Sequence, residues 1–188
     1  KLIAEMITGP LGMHDTGFWL PPAKAGRFAE AFDADPAKKW LSAWLRVGDN
    51  PAGKRYFNGG GGMVSTAADY QRFAQMIVNG GHLGGVRLLS KKTVEFMLSD
   101  HLVGLGGSTA GTTGPGYGFG LGFGVRLHEG VAWVPGSKGD AMWAGIYGTS
   151  FTVDPKEKIV GVFMSAGPST RIHTRMLFKD LLYGAVVK

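Results

Sequence analysis

Hydrolysis by a side chain needs a nucleophile beside a base, so the serines are the first residues to weigh. Pro135-Gly136-Ser137-Lys138-Gly139 misses the Gly-x-Ser-x-Gly elbow by its first residue. No serine stands three residues before a lysine, so the Ser-x-x-Lys pair, in which one helical turn sets an amine beside a hydroxyl, does not occur in these residues. With no cysteine in the chain, thiolate chemistry and disulfides are excluded as well. His14, His82, His101, His128 and His173 are far apart, and none has a second His or an acid at i+3 or i+4, so no metal-ligand motif is formed. The glycine runs match neither G-x-G-x-x-G nor G-x-x-x-x-G-K-[ST], and no cofactor motif is found. Gly59 to Gly62 do precede a helix start, where bare backbone can approach a ligand. Tyr56-Phe57-Asn58 forms an isolated Y-x-N.

The elements that would position such groups fall into two zones. Residues 1–103 read as part of a helical region with loops, and 104–188 as C-terminal strands with a final helix. Leu2, Ile3 and Met6 have helical spacing, end at Thr8-Gly9-Pro10 and lack an N-cap. With Lys1 rather than Met at the start, we expect the chain to begin inside a larger domain. Trp40, Ala43, Trp44 and Val47 predict a short amphipathic helix. Thr66 and Asp69 have capping-box spacing, and Tyr70, Phe73, Ala74 and Ile77 give that helix its buried stripe up to Gly80-Gly81. A second short helix follows Ser90, with Val94, Met97 and Leu98 inward.

From Tyr117 to Val125 large residues alternate with Gly118, Gly120, Gly122 and Gly124, which predicts one strand with a bare face. Each strand-interior glycine costs roughly 0.5–1 kcal/mol relative to Ala, so another backbone or a helix should lie against that face. Further strands are expected at 131–134, 141–147, 150–153 and 158–164, the last two joined by a turn at Asp154-Pro155-Lys156-Glu157. A helix from Pro168-Ser169 to about Tyr183 closes the chain, with Ile172, Met176, Leu177 and Leu181 on one side. Helices, then adjacent strands, then a helix indicate α+β with an antiparallel sheet flanked by helices.

Composition bounds the partners. Glycine, at 32 of 188 residues, is far above the usual share of about 7%, yet a 44% hydrophobic fraction supplies enough apolar surface for a core. The net charge of +6 comes from scattered Lys and Arg rather than a stripe, which argues against nucleic acid. No apolar run reaches the roughly 18 residues of a membrane span, so the chain reads as soluble, with periplasm and cytoplasm both open.

Three ordered stretches resemble a known family. Pro10-Leu11-Gly12-Met13-His14-Asp15-Thr16 is similar to its P-L-G-M-x-x-T element, and Gly61-Gly62-Met63-Val64-Ser65-Thr66-Ala67-Ala68-Asp69 to its G-G-x-x-S-T-A-x-D loop and helix start. Trp143-Ala144-Gly145-Ile146-Tyr147-Gly148, followed by Phe151-Thr152-Val153-Asp154-Pro155, is similar to its third active-site motif and the hairpin after it. The family is the serine β-lactamase and penicillin-binding-protein superfamily, in the class C-like and esterase-like branch.

The resemblance implies an antiparallel sheet of about five strands, a helical region, and acyl-enzyme hydrolysis of an ester, amide or β-lactam. It also implies that the nucleophilic Ser, its Lys and the motif Tyr precede Pro10, which leaves Tyr56-x-Asn58 on the wrong side for that role. Trp143 stands where Lys or His is usual, Ala144 replaces Thr, and Gly145 keeps the bare position. The Ile146 N–H takes the place of the second oxyanion donor. Gly61 and Gly62 are implied near substrate, and Arg171 stands where some members hold a carboxylate-binding group. Trp in place of Lys favours neutral, hydrophobic acyl groups such as short-chain esters. A buried strand aromatic is the competing reading of Trp143. Two functions stand at this point: the C-terminal portion of a serine hydrolase, inactive alone, or a non-catalytic binding or assembly module. The expected partners are a small acyl substrate and either a second copy or a complementary N-terminal chain.

Overall fold

The computed structural model describes residues 1–38, 59–105 and 109–187. The expected helix at Trp40 to Val47 and the Tyr56–Asn58 triplet lie outside them. A π-helical turn at Ala4–Thr8 and a 3-10 turn at Pro22–Arg27 precede the first long helix, α1, Ala67–Val78. A small hairpin follows, β1 (His82–Leu83) and β2 (Val86–Arg87), then α2 (Lys91–Met97) and a single turn, α3 (Ala110–Thr113). The main sheet is a meander of β3 (Tyr117–Phe119), β4 (Gly124–Arg126), β5 (Ala141–Ala144), β6 (Ser150–Asp154) and β7 (Ile159–Phe163), ordered β3-β4-β5-β6-β7 with every pair antiparallel. The last helix is α4, Arg171–Gly184. This is the α+β architecture expected from the order of elements.

The helix starts follow their caps. The Thr66 side chain accepts from the Asp69 N–H at 3.2 Å, and Ser90 caps α2 by accepting from Thr93 N–H at 3.0 Å. Asp69 does not complete a capping box. Its Oδ2 instead accepts from the Asp15 N–H at 2.7 Å and the Thr16 hydroxyl at 2.8 Å. Thr16 also meets the Ser65 hydroxyl at 2.7 Å, and Gly17 pairs with Val64. Two of the stretches that carry the resemblance are thus tied to one another. Asp69 is largely buried, and these bonds repay its desolvation.

Residues directly opposite in the ladder share a face. Val125, Ala141, Val153 and Val160 lie on one face with Trp143, Phe151 and Val162, and join Leu11, Met13, Ala74, Met76 and Ile77 of the helical side in one core. Tyr70 packs on Phe151 with ring centroids 5.1 Å apart, and burial pushes its hydroxyl up to about 12. The other face takes α4, where Phe178 stacks on Phe163 at 5.2 Å and Leu182 lies over Gly161.

Three expectations are corrected. The glycine-rich segment 117–125 is a hairpin, because the Gly120 N–H bonds the Phe123 carbonyl at 2.7 Å and Gly122 turns the chain at φ 88°. Its bare side is used as expected. A Cβ at Gly118 would lie 2.3 Å from an Asp100 carboxylate oxygen, and one at Gly120 would lie 2.1 Å from the Met97 carbonyl. Residues 131–134 form turns and bends rather than a strand. In α4, Leu177 and Leu181 are exposed while Arg175 and Lys179 are buried, the reverse of the apolar pattern. For Lys179 the reason is a buried counter-charge under the helix, described below.

Candidate functional site

The stretch Trp143–Ile146 occupies the C-terminal half of β5 and the turn after it. The last residue of β5 paired to β4 is Met142, opposite Gly124, so beyond it, among the described residues, β5 pairs with β6 alone and has an open edge. β5 is therefore internal in the sheet, and only this half of it is an edge. The open edge follows from the short β4 and the hairpin turn at Gly122.

Backbone direction along this edge is set by the ladder. The Gly145 N–H bonds the Thr149 carbonyl at 2.7 Å, and its own carbonyl accepts from the Gly148 N–H at 3.1 Å, closing a turn. Alternation directs the Ala144 N–H away from β6. The Ile146 N–H has no hydrogen-bond acceptor among the described residues, and Ile146 is 46% exposed. A Cβ at Gly145 would lie 2.3 Å from the Thr149 hydroxyl, so the glycine already has a neighbour inside the chain. Trp143 is half-buried and meets the Phe119 ring edge-on at 5.0 Å. The competing reading of Trp143 as a packed strand aromatic thus matches its surroundings.

Beside this turn lies the start of α4. Gly148 packs against Ser165 and Gly167. Arg171, the first residue of α4, donates to the Pro168 carbonyl at 2.6 Å. Asp35, from the loop before residue 39, accepts from the Ser169 hydroxyl at 2.5 Å and the Ser169 N–H at 3.2 Å. The Ser169 hydroxyl above all, with backbone N–H groups and the Arg171 charge, holds the Asp35 carboxyl below its usual range. The chain thus sets one of its own carboxylates beside Arg171. Nothing in the sequence around Asp35 signals this, because 134 residues separate it from Ser169.

Trp143, Ala144, Gly145 and Ile146 are therefore brought close to the segment that carries Arg171. Gly61 and Gly62 precede α1, which packs on β6 and β7; Gly61 is exposed and Gly62 turns at φ 86°.

A second polar cluster, unmarked in the sequence, lies under α4. Asp140, fully buried, accepts from Arg126 Nε at 2.7 Å and from Lys179 Nζ at 2.9 Å. Lys179 also donates to the Tyr117 hydroxyl at 2.8 Å, and Arg126 to the carbonyls of Val134 and Pro135. Burial pulls Lys179 below its ordinary value, and Asp140 opposes that shift. Burial and then Asp140 push the Tyr117 hydroxyl up, so it remains a neutral donor. Among the described residues no group of three or more His, Cys, Asp or Glu could hold a metal.

The family model described as Beta-lactamase matches residues 1–184. Protein Rv1367c of Mycobacterium tuberculosis (strain ATCC 25618 / H37Rv) is 31% identical over 170 residues, which cover 87% of this chain and 42% of that protein. Esterase EstB of Burkholderia gladioli is 30% identical over 168 residues, 81% of this chain and 40% of that protein. Among solved structures, EstCE1, a hydrolase with promiscuous acyltransferase activity, superposes with a TM-score of 0.75 at 27% identity, covering 97% of this chain and 50% of that one. The chain thus spans half or less of the length of these relatives.

Proposed function

The chain belongs to the Beta-lactamase family, and from that premise we propose that it is the C-terminal portion of a serine hydrolase that works through an acyl-enzyme and favours neutral short-chain esters. The nucleophilic Ser and its Lys come from residues outside this chain, and the 188 residues alone are inactive. What this chain contributes is the Ile146 N–H, which points the developing oxyanion's charge into a fixed donor; losing one such donor costs about 3–4 kcal/mol of transition-state stabilisation. The observation that carries the reading is the ladder at Gly145: its N–H is spent on Thr149, while the next N–H along the open edge has no acceptor among the described residues.

Trp143 and Asp35 set the preference. An indole replaces a cation at the third motif, and Asp35 beside Arg171 repels a substrate carboxylate from the charge best placed to hold it. The likeness to Esterase EstB and EstCE1 supports ester over lactam chemistry.

The experiment is hydrolysis of p-nitrophenyl acetate and butyrate by the full-length protein and by a variant with Ala at its Ser-x-x-Lys serine. Loss of turnover is expected; equal activity in the variant would sink the acyl-enzyme reading. Trp143→Ala should lower the butyrate-to-acetate ratio of kcat/KM by about tenfold, the size of a change in apolar pocket contact. An unchanged ratio would leave Trp143 with its packing on Phe119 and nothing more. The second reading, a non-catalytic binding or assembly module, rests on the missing Ser-x-x-Lys. Ester hydrolysis by the purified 188-residue chain would rule it out, and would equally overturn the inactivity proposed for this chain alone.

A further inference from the structure

Trp143 lies one residue past Met142, where β4 stops pairing with β5 among the described residues, so no β4 backbone steadies this side of the strand. The aromatic ring that meets the indole comes instead from β3. It is Phe119, with centroids 5.0 Å apart and planes at 66°. An edge-to-face pair sets the positive rim of one ring against the negative face of the other, and so favours one tilt and one distance. Trp143 also packs against the apolar core, whose attraction has no such direction.

A ring can fix its neighbour only if it is itself fixed, and Phe119 is held at its backbone. Its N–H donates to Asp100 Oδ1 at 3.0 Å, and its carbonyl accepts from the His101 N–H at 2.8 Å. Asp100 Oδ1 also accepts from the Leu102 N–H at 3.0 Å, so the carboxylate is set by the segment it belongs to. The residues on either side of Phe119 have no room for a side chain. A Cβ at Gly118 would lie 2.3 Å from Asp100 Oδ1, and one at Gly120 would lie 2.1 Å from the Met97 carbonyl oxygen. The glycines of this hairpin thus let the chain leaving α2 come close enough to clamp the residue that carries the ring.

We infer, on the role proposed above for Trp143, that Phe119 is its positioning residue. The Phe119 ring holds the indole in one orientation beside the open edge, so that a short acyl chain meets a wall already in place. A wall fixed in advance favours the longer chain, because the added contact is made without ordering a side chain. Asp100 acts one step further back, through the Phe119 N–H. Neither residue is assigned a contact with the reacting atoms.

The test uses the full-length protein labelled with 5-fluorotryptophan, in which the Trp143 resonance is the one missing from Trp143→Phe. Phe119→Ala should shift and broaden that resonance and leave the other tryptophan resonances in place, which certifies the fold. In turnover, Phe119→Ala should lower the butyrate-to-acetate ratio of kcat/KM by about fivefold, through KM for butyrate with kcat unchanged. In a Trp143→Ala background the same substitution should change the ratio by less than about twofold. Asp100→Asn keeps an oxygen acceptor and should retain the parent ratio, whereas Asp100→Ala should behave as Phe119→Ala does.

A Trp143 resonance unmoved by Phe119→Ala would overturn the inference. An equal fall in the ratio with the indole already removed would overturn it too, since Phe119 would then act without Trp143. Should Phe119→Ala disturb every resonance, Phe119→Leu, which keeps most of the volume but no ring, serves the same comparison. If the full-length protein hydrolyses no ester, the serine-hydrolase reading fails by itself, and the fluorine resonance still decides whether Phe119 holds Trp143.

Discussion

Asp154 carries three short hydrogen bonds at the end of β6, from the Lys156 and Glu157 N–H groups and the Tyr183 hydroxyl. Burial pulls its carboxyl up, but these bonds, with one from Ser137, outweigh it and leave the pKa below the ordinary value of 3.8. A depressed carboxylate stabilises the fold above its unfolded pKa and loses that contribution as pH falls through the folded one. Asp154→Asn should therefore lower unfolding free energy by about 1–3 kcal/mol at pH 7, the worth of hydrogen bonds to a charged acceptor. The gap between variant and parent should close below about pH 4, read from denaturant melts across pH 2 to 7. A gap that stays constant would assign the effect to packing.

At the scale of elements, the β3–β4 hairpin is shaped by what lies on its bare side. The His101 N–H bonds the Phe119 carbonyl at 2.8 Å, the Leu121 N–H bonds the Met97 carbonyl at 2.9 Å, and Asp100 accepts from the Phe119 N–H at 3.0 Å. The chain leaving α2 thus serves as an added layer against Gly118 and Gly120. Gly120→Ala must push a backbone carbonyl aside and should cost about 1–3 kcal/mol in chemical denaturation. Gly130→Ala, with nothing near its Cβ, should fall within about 0.5 kcal/mol of the parent. Because this hairpin also ends the pairing of β4 with β5, displacing it would alter the open edge at Trp143 to Ile146.

Thr66 and Ser90 were legible as caps because capping is local: a side-chain oxygen meets an N–H three residues on. The hairpin of β6 and β7 was legible from Asp154-Pro155 for the same reason. The break in the 117–125 alternation was not. Period two reports facing, not continuity, and four alternating glycines fit a strand and a tight turn equally well. The apolar spacing in α4 misled, since Lys179 is drawn inward by Asp140, which lies 39 residues away.

For the whole molecule, the sheet of the described residues ends at β7, which among them pairs only with β6, and α4 turns Leu177 and Leu181 outward beside it. An unpaired strand next to exposed apolar side chains promotes association. We expect the 188-residue chain, purified alone, to form dimers or larger species by light scattering and to hydrolyse no p-nitrophenyl ester; a monodisperse monomer would count against the association. No helix among the described residues is long and apolar enough to cross a membrane.

The sequence by itself determined the family, through three ordered stretches, and with it the α+β architecture, because local caps, turns and alternation are written in neighbouring residues. Its third motif falls on the edge where the proposed oxyanion donor lies. Only the tertiary structure decided that Thr16 and Asp69 are partners, that Asp35 binds Ser169 near Arg171, and that Lys179 turns inward to Asp140. Each of these rests on charges or donors tens of residues apart, whose pairing is set by the packing of α4 on the sheet and of the loops on α1, and no periodicity in the chain encodes it.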